Sequence, residues 1–156
     1  MSGHRFLFRF VVLGVALLVT AGCSSTPRRS ESDAGAKAAH HALDMKGKPY
    51  RYGGSTPQGF DCSGLVHYSY GRVGVRLPRH TEGLWGQSRP VSPRQLRTGD
   101  LLFFDQEGKR SSHVGMYLGD DQFVHAPSSG KRVSVARLSD PYWQRHFAGA
   151  RRISVD

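Results

Sequence analysis

One cysteine stands at the predicted start of a helix, in a stretch whose residue types could support nucleophilic chemistry. Asp61, directly before Cys62, can cap this helix by accepting a hydrogen bond from a free backbone N–H of the first turn. The residues that follow at helical spacing predict that the thiol points with the buried face; they are Leu65, Val66, Ser69 and Val73. A thiolate is stabilised at the positive end of a helix dipole, so Cys62 is a candidate nucleophile. The alternative is a small apolar core cysteine.

Two histidines, His113 and His125, flank a predicted β-hairpin turn at Gly119-Asp120-Asp121. With a three-residue loop, Leu118 pairs with Gln122, and the two histidines become diagonal neighbours on one face of the sheet. A two-residue turn would instead put them on opposite faces. The interpretation of this pair therefore depends on the length of the turn.

The residues between the two histidines in the predicted sheet indicate which surface they share. Val114, Met116 and Leu118 fill the other face of the strand, and Gly115 is expected to leave the surface open beside the histidines. We expect the cysteine helix to pack onto the face that displays the histidines. This would bring the thiol and the imidazoles together.

A thiol beside two imidazoles has a clear use in nucleophilic catalysis. His113 could take the proton of Cys62, which would give a thiolate–imidazolium pair and lower the pKa of the thiol to roughly 3.5–7.5. The second ring nitrogen of His113 then needs an acceptor to fix its orientation, and His125 can supply it. The competing interpretation is a zinc site with Cys62, His113 and His125 as three ligands.

The first 22 residues are typical of an export signal that ends at a second cysteine. A basic segment with Arg5 and Arg9 precedes an apolar run, residues 10–19, that is too short for a comfortable membrane span. Thr20-Ala21-Gly22-Cys23 resembles the lipobox of bacterial lipoproteins, in which the cysteine is acylated and becomes the mature N-terminus. The usual residue at the first of these positions is Leu, and here it is Thr20.

This resemblance predicts a lipid-anchored protein on the periplasmic side of the cell envelope. Residues 1–22 would be removed, Cys23 would carry the lipid, and residues 23–35 would form a flexible tether. Ser24 rather than Asp after the cysteine fits sorting to the outer membrane. Cys62 would then be the sole free thiol in an oxidising compartment. The alternative is a disulfide between Cys23 and Cys62.

Composition limits the class of partner. The chain has 156 residues with 22 Lys and Arg against 12 Asp and Glu, a formal charge of +10, which is enough length for one ordinary domain. Such a surface attracts polyanions. Because export removes nucleic acid as a reasonable partner, anionic lipid and acidic cell-wall polymer remain.

The pattern of elements predicts an α+β domain over residues 36–156. Helices come first, and an antiparallel sheet follows from about Val91 onward. A polar loop is expected at residues 106–112. The predicted helices and strands cover residues 36–45, 62–73, 82–85, 101–104, 113–118, 122–126, 132–135 and 148–153, with a one-turn helix at 92–95 and a short last helix after Pro141.

Several motifs in this order make the chain resemble the NlpC/P60 family of cell-wall cysteine peptidases. The resemblance covers about residues 36–153, nearly the whole domain. It rests on Gly47-Lys48-Pro49-Tyr50-Arg51-Tyr52-Gly53-Gly54, Phe60-Asp61-Cys62-Ser63-Gly64-Leu65-Val66, Leu77-Pro78-Arg79, Gly99-Asp100-Leu101-Leu102-Phe103-Phe104, His113-Val114-Gly115-Met116-Tyr117-Leu118-Gly119 and Phe123-Val124-His125-Ala126.

The resemblance implies a papain-like fold in which the nucleophile helix packs on the antiparallel sheet. It implies Cys62 as nucleophile, His113 as base, His125 as the orienting residue and Tyr50 as part of the oxyanion site. It also implies that Asp61 and Ser63 contact the free amine of the substrate. These two complete the expected site residues. We expect Asp61 to cap the helix as well, because a cap uses only part of the acceptor capacity of a carboxylate.

The implied activity is hydrolysis of amide bonds in peptidoglycan stem peptides, without a cofactor or metal and by a monomer. We expect cleavage of the cross-link between diaminopimelate and D-alanine. The bond between γ-D-glutamate and diaminopimelate is the alternative. A non-catalytic wall-binding lipoprotein on the same fold is a further alternative, but it has no need of the three candidate catalytic residues.

Overall fold

The structure, a computed structural model, describes residues 27–106 and 108–155, with side chains from Asp33 onward in the first range. The predicted signal, the lipidated Cys23 and the first residues of the tether lie outside this part of the chain. None of the helices in the described ranges is long and apolar enough to cross a membrane.

Four α-helices surround the sheet of the described domain. The first is long and the other three are short. Short helices hold their positions mainly through tertiary packing. They are α1 (Pro27–Asp44), α2 (Cys62–Gly71), α3 (Thr81–Gly86) and α4 (Pro141–His146), and a 3-10 turn lies at Pro93–Gln95.

Six strands form one antiparallel sheet with the order β3-β8-β4-β5-β6-β7, and β1 and β2 form a separate small hairpin. The α+β class with an antiparallel sheet is therefore confirmed. The last strand of the chain lies between β3 and β4 inside the sheet. The strands are β1 (Ser55–Thr56), β2 (Gly59–Phe60), β3 (Ser88–Val91), β4 (Leu101–Gln106), β5 (Lys109–Gly119), β6 (Gln122–His125), β7 (Ser134–Arg137) and β8 (Phe147–Ile153).

Both faces of the sheet are covered, and each has its own apolar cluster. The larger cluster joins α1, α2 and α3 to side chains such as Val114 and Met116 of β5. The smaller cluster joins Trp143 of α4 to Phe104 and Phe123 on the other face. Neighbouring residues of a strand alternate between the faces, so one strand serves both clusters.

Helix α1 begins earlier than the sequence pattern indicated. We expected a flexible tether up to residue 35, but the helix starts at Pro27. Proline suits the first position of a helix, and Arg and Glu are good helix formers. The polar residues of this segment were therefore misread as linker composition.

The turn between β5 and β6 differs from the predicted one, but the strands beyond it pair in the predicted register. Gly119 pairs with Gln122 across a two-residue turn, and both turn residues, Asp120 and Asp121, have positive φ (47° and 66°). The register then shifts by one residue, and Tyr117 pairs with Phe123 as a three-residue loop would require. The predicted pairing of Leu118 with Gln122 is wrong, because Leu118 is the extra residue of a β-bulge.

The predicted polar loop at residues 106–112 is also wrong. Strand β5 begins at Lys109, and Gln106 pairs with Lys109 across the turn to β4. The polar residues of this hairpin arm are exposed or half-buried, so their composition resembles that of a loop. The arm extends β4 and β5 beyond the position of His113.

Candidate active site

Helix α2 starts at Cys62, and the predicted cap is confirmed. Asp61 has an extended backbone, and its Oδ1 accepts a hydrogen bond from the N–H of Gly64 at 2.7 Å. The helix ends at Gly71, so Val73 lies outside it. Cys62 is half-buried and carries a free thiol. The thiol therefore stands at the capped N-terminus, as the sequence pattern indicated.

The carboxylate of Asp61 accepts several hydrogen bonds besides the one that caps α2. Arg79 donates to both of its oxygens at 2.8 Å, and Gly53 N–H donates to Oδ2 at 2.9 Å. Ser63 Oγ lies 3.4 Å from Oδ1 and also accepts from Arg79 at 3.0 Å. A carboxylate has about four acceptor positions, so internal donors fill Asp61. These donors leave Asp61 little spare capacity, and its contact with a substrate amine stays a prediction.

A glycine in the first turn of α2 lets the preceding loop approach the helix. A Cβ on Gly64 would lie 1.9 Å from the carbonyl oxygen of Gly54, which no real contact allows. Arg79 Nη2 donates to the same carbonyl at 3.0 Å. The loop, the helix N-terminus and Arg79 thus form one packed unit beside Cys62.

The segment that carries Tyr50 is held beside the strand before Cys62 by backbone hydrogen bonds. The neighbours of this tyrosine pair with the strand that leads into Cys62: Phe60 N–H donates to Pro49 O at 3.1 Å, and Arg51 N–H donates to Phe60 O at 2.9 Å. Burial raises the pKa of the Tyr50 hydroxyl, and the nearby Cys62 raises it further. The phenol therefore stays protonated and can donate a hydrogen bond.

The two histidines meet, as the register predicted. His113 Nε2 and His125 Nδ1 are 2.9 Å apart, and each residue is 3% exposed. Their nitrogens face each other rather than a shared ion. In residues 27–106 and 108–155, no three His, Cys, Asp or Glu side chains are grouped so that they could hold a metal ion.

The face of the sheet that carries the histidines differs from the expectation. Their rings contact Phe104, Phe123 and Trp143, which belong to the cluster under α4. Helix α2 packs on the opposite face, against the cluster that includes Val114. The space over Gly115 is not open either, since a Cβ there would lie 2.6 Å from the ring of Phe123.

Cys62 and His113 still line one cleft, of about 1050 Å³. The pairing of β5 with β6 runs from Gly119–Gln122 to Met116–Val124, and His113 lies beyond its end. There the cleft can receive groups from both faces of the sheet. Tyr50 also lines it, together with Thr81, Glu82, Trp85, Asp105, Gln106, Lys109, Arg110, Ser111, Ser112, Pro127, Ser128, Phe147 and Ala148.

Burial disfavours the charged forms of the thiol and of both imidazoles. It raises the pKa of Cys62, with Asp61 acting in the same direction and backbone groups at Val114 and Ser63 acting against it. Burial, with His125 as a second cause, lowers the pKa of His113 to about 3. Burial, helped by Lys131, lowers the pKa of His125 to about 4. Burial therefore opposes the expected thiolate–imidazolium pair, which stays a prediction.

Two residues at the site were missed in the sequence. Arg79 was noted only as part of a motif, although an arginine a short distance after a capping Asp is a reasonable ion-pair candidate. Trp143 was placed on a last short helix without a role. Only the tertiary structure brings α4 over the histidines, since Trp143 lies 30 positions after His113 and 18 after His125.

Comparison with solved structures identifies the class of fold. A lipoprotein-like NLP/P60 family protein from Staphylococcus aureus subsp. aureus Mu50 matches with a TM-score of 0.71 and 34% identity, over 80% of this chain and 42% of that chain. The mixed helices and antiparallel sheet are consistent with the papain-like fold of such domains. A family model described as NlpC/P60 family matches residues 47–152, and the chain belongs to this family.

Curated relatives agree with this assignment. The chain is 42% identical over 121 residues to murein DD-endopeptidase MepH of Escherichia coli K12, over 74% of this chain and 45% of the relative. It is 43% identical over 111 residues to MepS of the same organism, named a murein DD-endopeptidase and LD-carboxypeptidase, over 70% of this chain and 58% of the relative. The chain thus spans about half the length of these curated relatives.

Proposed function

We propose that this protein is a cell-wall cysteine peptidase that hydrolyses amide bonds in peptidoglycan stem peptides. The observation that carries the proposal is one cleft lined by a thiol at a capped helix N-terminus and by His113 of a buried histidine pair. Membership of a family whose relatives include murein endopeptidases supports the substrate class.

The proposed roles follow from the protonation states. For His113 to accept a proton at Nδ1, its Nε2 must carry the other proton and donate it to Nδ1 of His125. A low pKa keeps the ring of His113 neutral at neutral pH, so one of its ring nitrogens is free to accept a proton. His125 then orients the ring of His113, which is the part played by the third member of other triads.

The proposed reaction has two steps. Cys62 Sγ attacks the amide carbonyl carbon while its proton passes to His113, and the oxyanion is held by the Cys62 backbone N–H and the Tyr50 hydroxyl. The C–N bond then breaks, the leaving amine takes the proton from His113, and a thioester remains. Water, deprotonated by His113, cleaves the thioester and restores the thiol.

Charge in the cleft suits an anionic stem peptide. Lys109 and Arg110 line one arm of the cleft, and the whole chain has a formal charge of +10. Stem peptides carry free carboxylates, which such cations attract. Because Glu82 and Asp105 line the same cleft, this attraction is local to the arm that carries Lys109 and Arg110.

We favour the cross-link between diaminopimelate and D-alanine as the bond that is cut. MepH and MepS are both named murein DD-endopeptidases, which supports this specificity. The alternative bond, between γ-D-glutamate and diaminopimelate, depends more on recognition of a free amine by Asp61 and Ser63. That role stays a prediction, and the ion pair of Asp61 with Arg79 weakens the attraction of Asp61 for a substrate ammonium.

Digestion of defined muropeptides tests both parts of the proposal. We expect the purified protein to convert cross-linked dimers into monomers and to leave uncross-linked tetrapeptides intact, as measured by mass spectrometry. Cys62→Ala should lower the rate by at least about a thousandfold, because the nucleophile is lost. Its circular dichroism spectrum should match the wild type.

The outcomes separate the alternatives. Undiminished cleavage by purified Cys62→Ala would contradict the cysteine mechanism. Cleavage of uncross-linked peptides at γ-D-glutamate would assign the alternative bond. Binding to peptidoglycan without cleavage of either substrate would point to the non-catalytic wall-binding lipoprotein.

The proposal also includes a lipid anchor at Cys23 that holds the enzyme on the periplasmic side of the outer membrane. It rests on the lipobox-like sequence and on the expected signal over residues 1–22. We expect Cys23→Ser to move the protein from the membrane fraction to the soluble fraction and to abolish incorporation of labelled palmitate. Cys62→Ala is the matched control and should stay in the membrane fraction. Equal labelling of both variants would contradict the anchor.

A further inference from the structure

Trp143 of α4 contacts both histidine rings. Its ring lies against His113 with centroids 5.6 Å apart and planes 25° from parallel. It meets His125 edge to face at 4.8 Å and 84°. One indole therefore fixes two imidazole planes that are themselves almost perpendicular, at 86°.

The surroundings of Trp143 leave its ring little freedom. Phe104 and Phe123 contact it at centroid distances of 4.7 and 5.1 Å, and Tyr142 does so at 5.0 Å. The start of α4 is fixed as well, because Asp140 Oδ1 accepts from the N–H of Tyr142 at 2.9 Å. The indole is thus clamped between the sheet and its own helix.

We propose that Trp143 is a positioning residue that holds the rings of His113 and His125 in register and excludes water from them. The inference rests on the proposed function, in which His113 is the base and His125 orients it. Trp143 contributes no proton and touches no reacting atom. Its contribution is to keep Nδ1 of His113 aimed into the cleft while Nε2 stays bonded to His125, since small misplacements of a catalytic group are costly.

The α4 side of the histidines is an aromatic wall built by Trp143, and α4 also carries the titratable groups Tyr142, Arg145 and His146. Within the described residues, His125 acts on the pKa of His113 and Lys131 on that of His125, and a further set of titratable or charged groups lines or adjoins the cleft. They are Cys62, Asp61, Tyr50, Glu82, Asp105, Lys109 and Arg110. Opening the wall would add water to an otherwise unchanged set of charges.

The test compares Trp143→Ala and Trp143→Phe with Leu138→Ala in the full chain. Leu138 packs in the same cluster as Trp143, but no ring contact links it to the histidines, so it controls for lost packing. The readouts are kcat and KM for cross-linked muropeptides, the pH profile of kcat/KM, and the melting temperature.

We expect Trp143→Ala to lower kcat by about tenfold or more with KM within about threefold of the wild type. Its acid limb should move to higher pH, because hydrated imidazoles protonate more readily. Trp143→Phe should restore most of kcat. Leu138→Ala should lower the melting temperature but keep kcat and the pH profile.

A wild-type kcat and pH profile in folded Trp143→Ala would overturn the inference. An equal loss of kcat in Leu138→Ala would overturn it too, because the effect would then be general loss of packing. If the alanine variant does not fold, Trp143→Leu takes its place under the same criteria. Cleavage that survives Cys62→Ala would instead overturn the proposed function, so the two failures are distinguishable.

Discussion

The imidazole of His113 is kept uncharged by the place where it is buried. In water, histidine is partly protonated near neutral pH, and a protonated ring cannot accept the proton of a thiol. Here the rings of Phe104, Trp143 and His125 surround it, and the pKa falls to about 3. Burial also raises the pKa of Cys62, which favours the thiol over the thiolate before substrate binds.

The buried histidines should make the protein less stable in mild acid. Their folded-state pKa values, about 3 for His113 and about 4 for His125, lie below the ordinary 6.5. Between those values and pH 6.5 the unfolded chain binds more protons, so the free energy of unfolding falls as pH falls. Each group contributes at most about 1.4 kcal/mol per pH unit. Urea denaturation at pH 7 and pH 5 measures this loss.

The control for this prediction is a substitution at one histidine. His113→Gln should reduce the change in unfolding free energy between pH 7 and pH 5, whereas His80→Gln, at an exposed position, should leave it as in the wild type. An equal pH dependence in wild type and His113→Gln would show that burial does not keep His113 neutral.

At the scale of elements, two loops decide where the site residues stand. The bulge at Leu118 corrects the register of the β5–β6 hairpin, and so His125 reaches His113 despite a two-residue turn. The loop at Gly53 and Gly54 is tied to the start of α2 by Arg79 and Asp61. Neither element carries out chemistry, but each sets the position of a group that does.

We expect removal of Arg79 to loosen the N-terminus of α2. Arg79→Ala deletes two charge-assisted hydrogen bonds to Asp61 and one to Gly54 O, and the pair is mostly buried. The free energy of unfolding should fall by about 1–3 kcal/mol, measured by urea denaturation. Muropeptide cleavage should fall as well, because Cys62 is the next residue after Asp61.

Two further variants sharpen this prediction. Arg79→Lys should recover only part of the stability, because an ammonium cannot make the bidentate contact. Arg132→Ala, which removes an exposed hydrogen bond to Gly47 O, should change the free energy of unfolding by less than about 0.5 kcal/mol. Similar effects for Arg79→Ala and Arg132→Ala would contradict a special role of the Asp61 pair.

At the scale of the whole molecule, a buried ion pair ties the end of the chain to the start of β4. Arg152 of β8 donates to both oxygens of Asp100, from Nε at 2.6 Å and from Nη2 at 2.7 Å. Asp100 also accepts from the N–H of Arg97 at 2.7 Å. Because β8 lies between β3 and β4, this pair helps to hold the last strand inside the sheet.

We expect Asp100→Asn to lower the free energy of unfolding by about 3–5 kcal/mol, since it removes the carboxylate charge that accepts two hydrogen bonds from the buried Arg152 guanidinium. The measurement is urea denaturation at pH 7. Neither residue lines the cleft, so cleavage per folded molecule should stay as in the wild type. Arg137→Ala breaks the more exposed pair with Asp121 and should cost under about 1 kcal/mol. A cost for Asp100→Asn as small as that control would show that the pair does not hold β8.

The sequence by itself determined the family, the α+β class, the capped thiol of Cys62 and the meeting of His113 with His125. The capped thiol and the meeting of the histidines follow from local signals, namely capping chemistry, the period of apolar residues and the pairing of a single hairpin. The family assignment needed several motifs in a fixed order along the domain. The predicted meeting of the histidines survived a wrong turn prediction because a bulge compensated for it.

Only the tertiary structure decided which face of the sheet the histidines occupy, which donors bind the Asp61 carboxylate, and in which direction the pKa values of the thiol and the imidazoles shift. Each depends on groups distant in sequence: α4 over the rings, Arg79 at the carboxylate, and the apolar surroundings that penalise charge. Hydrophobic periodicity predicts that a side chain is buried, but not beside which other buried group. For that reason the sequence could propose Cys62, His113 and His125, whereas the residues that support them, Arg79 and Trp143, needed the tertiary structure.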